Sequence, residues 1–197
     1  MTDRGAFVRW VNLGLLIPAL LILTLSGCSV QRSHGSLKGV KFEPFTVKGG
    51  HFKVSMPGKP EDKSTASPLG TTSKRYCCED SEIAFIVSED TFPAHIAAAL
   101  KNGTPTVVQS GLDGACANCM KELKASETQR AAVALGGGLY PGRSIEGTIS
   151  EPVKGKVRYR FYVDCANGRM YTVGVAGIKS RTDQPEVDTF LSSLVIF

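Results

Sequence analysis

The chain has 197 residues, 23 Lys and Arg against 18 Asp and Glu for a net charge of +5, and 42% apolar residues. That length and apolar content suit one folded domain and exclude a disordered or low-complexity polypeptide. The charge is scattered, with no basic run interleaved with aromatics, so the sequence gives no sign of a nucleic-acid partner.

The first nine residues carry Asp3, Arg4 and Arg9, and Trp10 to Leu25 is then apolar apart from Asn12, Gly14, Pro18 and Thr24. These 16 residues fall short of the roughly 20 that span a bilayer as a helix, and Pro18 would kink them. A charged segment followed by a short apolar one reads as a signal peptide. It ends in Leu25-Ser26-Gly27-Cys28, which resembles the lipobox of bacterial lipoproteins. The resemblance implies cleavage after residue 27 and acylation of Cys28 as the new N-terminus, where two or more chains anchor stably and one does not. It places the protein on the extracytoplasmic side of the cell envelope, attached to a membrane through Cys28 without spanning it. Ser29 resembles an outer-membrane sorting residue.

Loss of residues 1–27 would leave 170 residues at a net charge of +4. Residues 28–44 read as the acylated cysteine and a flexible tether, and residues 45–197 as a single domain. Around the tether, Arg32, Lys38, Lys41 and Lys48 face only Glu43. Cations near anionic lipid gain about 1 kcal/mol each, although a solvated tether accounts for them equally well.

From Phe45 the pattern is extended: Phe45 and Val47, the pair Gly49-Gly50, then Phe52, Val54 and Met56 alternating with polar residues predict a hairpin. Residues 61–72 read as loop. A second hairpin is predicted from 73–79 and 82–88 around Asp80-Ser81, and strand alternation means that Cys77 and Cys78 cannot both face one core. Phe92-Pro93 opens a short helix that Asn102-Gly103 stops. Thr104-Pro105 then has the pattern of a cap and a first-turn proline, starting a longer helix with Val108, Leu112, Ala115, Cys119 and Leu123 on one face and Cys116 at its edge. Strands follow at 127–135, 143–149, 156–164 and 169–177. In the third, Val157, Tyr159, Phe161 and Val163 alternate with Arg158, Arg160, Tyr162 and Asp164; in the fourth, Tyr171, Val173 and Val175 share a face. A final helix is read over 184–193.

The fold class these elements predict is α+β, a mostly antiparallel sheet with one long and one or two short helices packed on it. Three stretches, Phe52–Pro60 (FKVSMPGKP), Pro141-Gly142-Arg143 and Phe190-Leu191-Ser192-Ser193-Leu194, resemble landmarks of uncharacterised secreted domains of planctomycete bacteria. Those are similar in layout to the PsbP-like α/β sandwich used by photosystem II accessory proteins. The resemblance implies a fold and no chemistry, and its pattern does not include the cysteines.

Besides Cys28 the chain holds Cys77, Cys78, Cys116, Cys119 and Cys165. In an envelope compartment these read first as disulfides: Cys116 or Cys119 bridged to Cys77 or Cys78 and to Cys165, each bridge contributing roughly 2–4 kcal/mol, with one thiol left over. Cys116-Ala117-Asn118-Cys119 also has the spacing of a thioredoxin-like redox site, which needs the motif at a helix N-terminus. Cys116 and Cys119 with Cys77, Cys78 and Cys165 contain enough thiolates for zinc, although a site in mid-helix departs from the usual paired loops. Haem attachment would require histidine where Met120 stands.

Gly136-Gly137-Gly138 lacks the Lys and Ser or Thr of a phosphate loop and reads as a turn. His34, His51 and His95 have no neighbours at metal-ligand or triad spacing. Glu146, Asp164, Arg158 and Arg160 suit cross-strand pairing. With no catalytic grouping, no resident metal and no cofactor indicated, the expectation is a non-enzymatic binding or scaffolding domain, its partner an unidentified envelope protein or small ligand. The competing expectation is thiol redox or thiolate metal chemistry at Cys116 and Cys119.

Overall fold

The computed structural model describes residues 36–68, 70–150 and 154–197. The signal peptide, Cys28 and His34 lie outside the described residues. The chain builds three layers around an antiparallel sheet of eight strands. In chain order the strands are β1 (Glu43–Thr46), β2 (Phe52–Met56), β3 (Glu61–Asp62), β4 (Thr65–Ala66), β5 (Thr72–Glu79), β6 (Ile83–Thr91), β7 (Ala125–Leu135), β8 (Tyr140–Ile149), β9 (Gly155–Asp164), β10 (Arg169–Gly177) and β11 (Val195–Ile196). The helices are α1 (Ala94–Asn102), α2 (Pro105–Glu122), α3 (Lys179–Thr182) and α4 (Pro185–Ser192). The large sheet runs β3-β5-β6-β10-β9-β8-β7, with β4 also on β5, and the small one runs β1-β2-β11. The α+β reading therefore holds, with hairpins and helices close to where residue pattern placed them.

Two cores follow from strand alternation. Phe85 and Val87 on β6 and Tyr171, Val173 and Val175 on β10 meet Phe52, Val54 and Met56 of the small sheet and Val187, Phe190 and Leu191 of α4. On the opposite face, Val157, Tyr159, Phe161 and Val163 of β9 and Met170 of β10 meet Leu112, Ala115, Cys116, Cys119 and Met120 of α2. Thr104 Oγ1 caps α2 by accepting from Val107 N at 3.4 Å, and Pro105 occupies its first turn. Gly174 pairs with Tyr159, and a Cβ there would come within 2.2 Å of Tyr159 Cδ1, against the ring. Absence of a side chain on β10 is what lets that ring lie flat beneath the helix layer.

The charged side of β9 holds the last helices in place. Arg158 bonds Glu146 through Nε at 3.1 Å and Asp188 of α4 through Nη2 at 2.5 Å. Lys156 reaches Glu146 at 2.8 Å and Asp183 at 3.0 Å. Arg160 donates to the Leu191 carbonyl and to Ser192 Oγ at the end of α4. The expected cross-strand pairing is thus found for Glu146 and Arg158, whereas Arg160 serves the helix. Asp164 accepts from Asn167 N and Nδ2, fixing the β9–β10 turn.

Three features depart from the sequence reading. Packing begins before residue 45: Leu37 is 2% exposed, donates its N–H to Gln184 Oε1, and shares the small-sheet core with Val40 and Phe42. The 61–72 loop contains the short strands β3 and β4, which pair with β5. The C-terminal residues form β11, which pairs with β2 through Val195 to Lys53 and Ile196 to Phe52.

Gly174→Ala should destabilise the domain by about 1–3 kcal/mol, the usual cost of overpacking a filled core. Urea denaturation checks this as a lowered midpoint with an unchanged slope.

Candidate functional site

The five cysteines carry the sharpest chemical expectation. All five in the described residues stand as thiols, so neither expected bridge is formed. The thiols are spread over both faces of the large sheet. Cys78 pairs with Phe85 on the small-sheet face of the large sheet, away from the α2 thiols. Cys77 pairs with Ile86 on the helix face, but β6 and β10 stand between β5 and β9, a separation of about 14 Å at the normal strand spacing. Cys165 follows the end of β9 in the turn to β10 and packs against the helix-side core.

Cys116 and Cys119 lie in the C-terminal half of α2, not at its N-terminus. Burial pushes the Cys116 thiol up to about 12, against the opposing pull of Arg130. Burial raises Cys119 further, with Cys116 and Glu122 adding to it. Burial, then the Glu79 charge, raises Cys77 to about 12. The partial negative charge at a helix C-terminus also disfavours a thiolate, so the motif has the spacing of a redox site in the wrong electrostatic setting. Among the described residues no group of three or more His, Cys, Asp and Glu is gathered to hold a metal.

The polar grouping that the sequence did not reveal is a pair of adjacent carboxylates near the end of β6. Glu89 and Asp90 are 2% and 4% exposed and point to opposite faces. Glu89 enters the small-sheet core, where its two oxygens accept from His51 N at 2.9 Å and bond His51 Nδ1 at 3.0 Å. Arg169 Nε lies 3.8 Å away. Tyr171 pairs with Glu89 across β10, and burial followed by the Glu89 charge pushes its phenol up to about 12. Both sheets meet at this carboxylate. His51, with its side chain 38% exposed, is therefore an oriented imidazole whose Nδ1 is engaged, and the hydrogen bond its backbone N–H donates to the same carboxylate makes the pair a staple between layers.

Asp90 enters the helix side. Ser88 Oγ donates to its Oδ2 at 3.4 Å, and Ser73 pairs with it across β5. Burial raises its carboxyl above the usual range, against the lowering effects of the Ser73 hydroxyl and the Arg75 charge. A third polar joint ties α2 to the sheet. Asp113 accepts from Arg143 Nε at 2.7 Å and Arg130 Nη1 at 3.1 Å, and these bonds, Arg143 first, hold its carboxyl below the usual range. The Glu89–His51 contact joins residues 38 apart in sequence, so no local motif announces it.

Two measurements test these assignments. Alkylation of the acylated protein in denaturant without reduction should add five labels by intact mass. In the native protein at pH 8, Cys77 and Cys116 should label slowly, since a thiol at about 12 is roughly one part in ten thousand thiolate. Asp90 gives a pH signature. Because its folded-state value is raised, the acid form stabilises the fold fully below the ordinary value of about 3.9, and that contribution is lost as pH rises through the raised value. Asp90→Asn should therefore raise the urea midpoint at pH 7 and lose the advantage towards pH 4; a gain independent of pH would contradict the assignment.

No protein-family profile matches the chain, and no curated protein matches it in sequence. Among solved structures, the solution structure of cyanobacterial PsbP (CyanoP) from Synechocystis sp. PCC 6803 is similar, with a TM-score of 0.56 at 14% identity over 88% of this chain and 99% of that one. At that identity the likeness shows the fold, and the three layers described above have a PsbP-like layout.

Proposed function

We propose that this chain is a non-catalytic binding or scaffolding domain, held on the extracytoplasmic side of a bacterial cell envelope by lipid on Cys28. The observation that carries the non-catalytic reading is the seating of its reactive groups. The Cys116 and Cys119 thiols lie in a core that suppresses their ionisation, and Glu89 is engaged in holding two sheets together. A nucleophile or general base works only when it can reach substrate in its reactive protonation state. The PsbP-like layout supports the same reading through the accessory proteins that use it, and the landmark stretches that resemble secreted planctomycete domains are consistent with an envelope location. Membrane attachment rests on the lipobox alone. Among the described residues no helix is long and apolar enough to cross a membrane.

The experiment separates anchor from activity. Cys28→Ala should move the protein from the membrane fraction to the soluble one on cell fractionation, and unchanged partitioning would sink the anchor. Purified wild-type protein should be inert in insulin reduction. Activity that Cys116→Ser abolishes would replace the binding reading with thiol catalysis.

A further inference from the structure

Strand β7 is the last in the large sheet on the side of β8, so every second residue along it turns its N–H and C=O to an open edge. The two halves of that edge differ. The first half is guarded: a bulge shifts the register between Glu127 and Gln129, and Glu127 binds Arg130 there. From Ala131 to Leu135 there is no charge and no proline. Ala132 and Ala134 are exposed, while Val133 and Leu135 lean with Tyr140 on the small-sheet core. Edge strands normally carry a lysine, proline or bulge where pairing is to be blocked, and this segment carries none.

We propose that Ala131–Leu135 pairs antiparallel with the same segment of a second copy, across a two-fold axis at Val133. The segment is complementary to itself in this register. Ala131 stands opposite Leu135 of the partner subunit, a small side chain against a large one, and Val133 opposes Val133 of the partner subunit. On the other face Ala132 opposes Ala134 of the partner subunit, and the small side chains let the strands close. Arg130 falls outside the apolar ladder, opposite Gly136 of the partner subunit, where the positive-φ glycines Gly136, Gly137 and Gly138 end the strand. An axis at Arg130 would oppose like charges, and one nearer the N-terminus would place the bulge at its centre. The two large sheets would then be continuous across the dimer. Five residues from each copy make a small interface, below the standard size of stable complexes, so the dimer should be weak and reversible.

The register supplies its own test, because it brings position 132 of one copy against position 134 of the other. Sedimentation velocity on the acylated full-length mature protein in non-ionic detergent, up to about 300 µM, should show a concentration-dependent dimer. The double variant A132K/A134K puts lysines opposite one another twice and should weaken the dimer at least about tenfold. The variant A132K/A134E puts each lysine opposite a glutamate and should keep the wild-type dimer. Both changes are at exposed positions, and matching unfolding midpoints confirm that both variants fold. A wild-type protein that stays monomeric overturns the proposal. So does a dimer that A132K/A134K leaves unchanged, as two copies sharing a micelle through their lipids would give, and so does equal dissociation of the two variants.

Discussion

Neighbouring residues on a strand face opposite ways, and in this protein the central strands are covered on both sides. Almost everything else in the architecture follows from that constraint. Along β10, Tyr171, Val173 and Val175 feed one core and Met170 the other. Along β9 the division is sharper: Val157, Tyr159, Phe161 and Val163 go to the helices, while Tyr162 goes to the small sheet and Arg158 and Arg160 to α4. Neither core could close with half of those side chains. The small sheet and α4 on one side, and α1 and α2 on the other, are lids that the alternation demands. Where the helix side is crowded, glycine yields, as at Gly174 beneath Tyr159 and at Gly147, where a Cβ would come within 2.7 Å of Met120 Sδ.

The buried polar groups are the joints between these layers. Removing a charge from water is costly unless partners replace the lost hydration, and the buried Glu89 and Arg181 and the half-exposed Asp113 are each set where two elements meet. Glu89 joins the β1–β2 hairpin to β6 through His51. Arg181, also buried, joins α3 to the β5–β6 turn through Asp80 at 2.9 Å and Glu82 at 3.5 Å. Asp113 joins α2 to β7 and β8. A group committed in this way has little freedom to move a proton or attack a substrate. Fold stability and the chemical quietness of these groups thus come from the same contacts.

Much of this was legible in the residues, and the limits are physical. Thr104-Pro105 marked the start of α2 because capping and a proline at the first position are local chemistry. The alternation of β9 and β10 announced which side chains share a face, and the vicinal pair Cys77-Cys78 divided between faces as strand geometry requires. Glu146 and Arg158 met as cross-strand neighbours should. What escaped were contacts that depend on the folded chain. Arg181 and Asp80 are 101 residues apart, and His51 looked isolated because its partner lies on another hairpin. The five thiols stand unbridged: compartment and cysteine count say nothing about which faces and elements the fold gives to each thiol. Leu37 looked like part of a tether because one apolar residue among polar ones has no period, and only its place against Gln184 makes it core.

That buried leucine sets how the domain can stand. Leu37 is fixed beside the start of α4, at the end of the large sheet from which α3 leaves β10. With lipid on Cys28, only residues 29–36 separate the bilayer from this fixed point, and eight extended residues reach at most about 28 Å. Were Cys28 acylated as proposed, so short a leash would favour one bearing of the domain. The end bearing α3 and the β5–β6 turn would look down at the headgroups. The opposite end, with the β9–β10 turn, the start of α1 and Leu139, 69% exposed at the tip of the β7–β8 hairpin, would look out into the envelope, where a partner would meet it first.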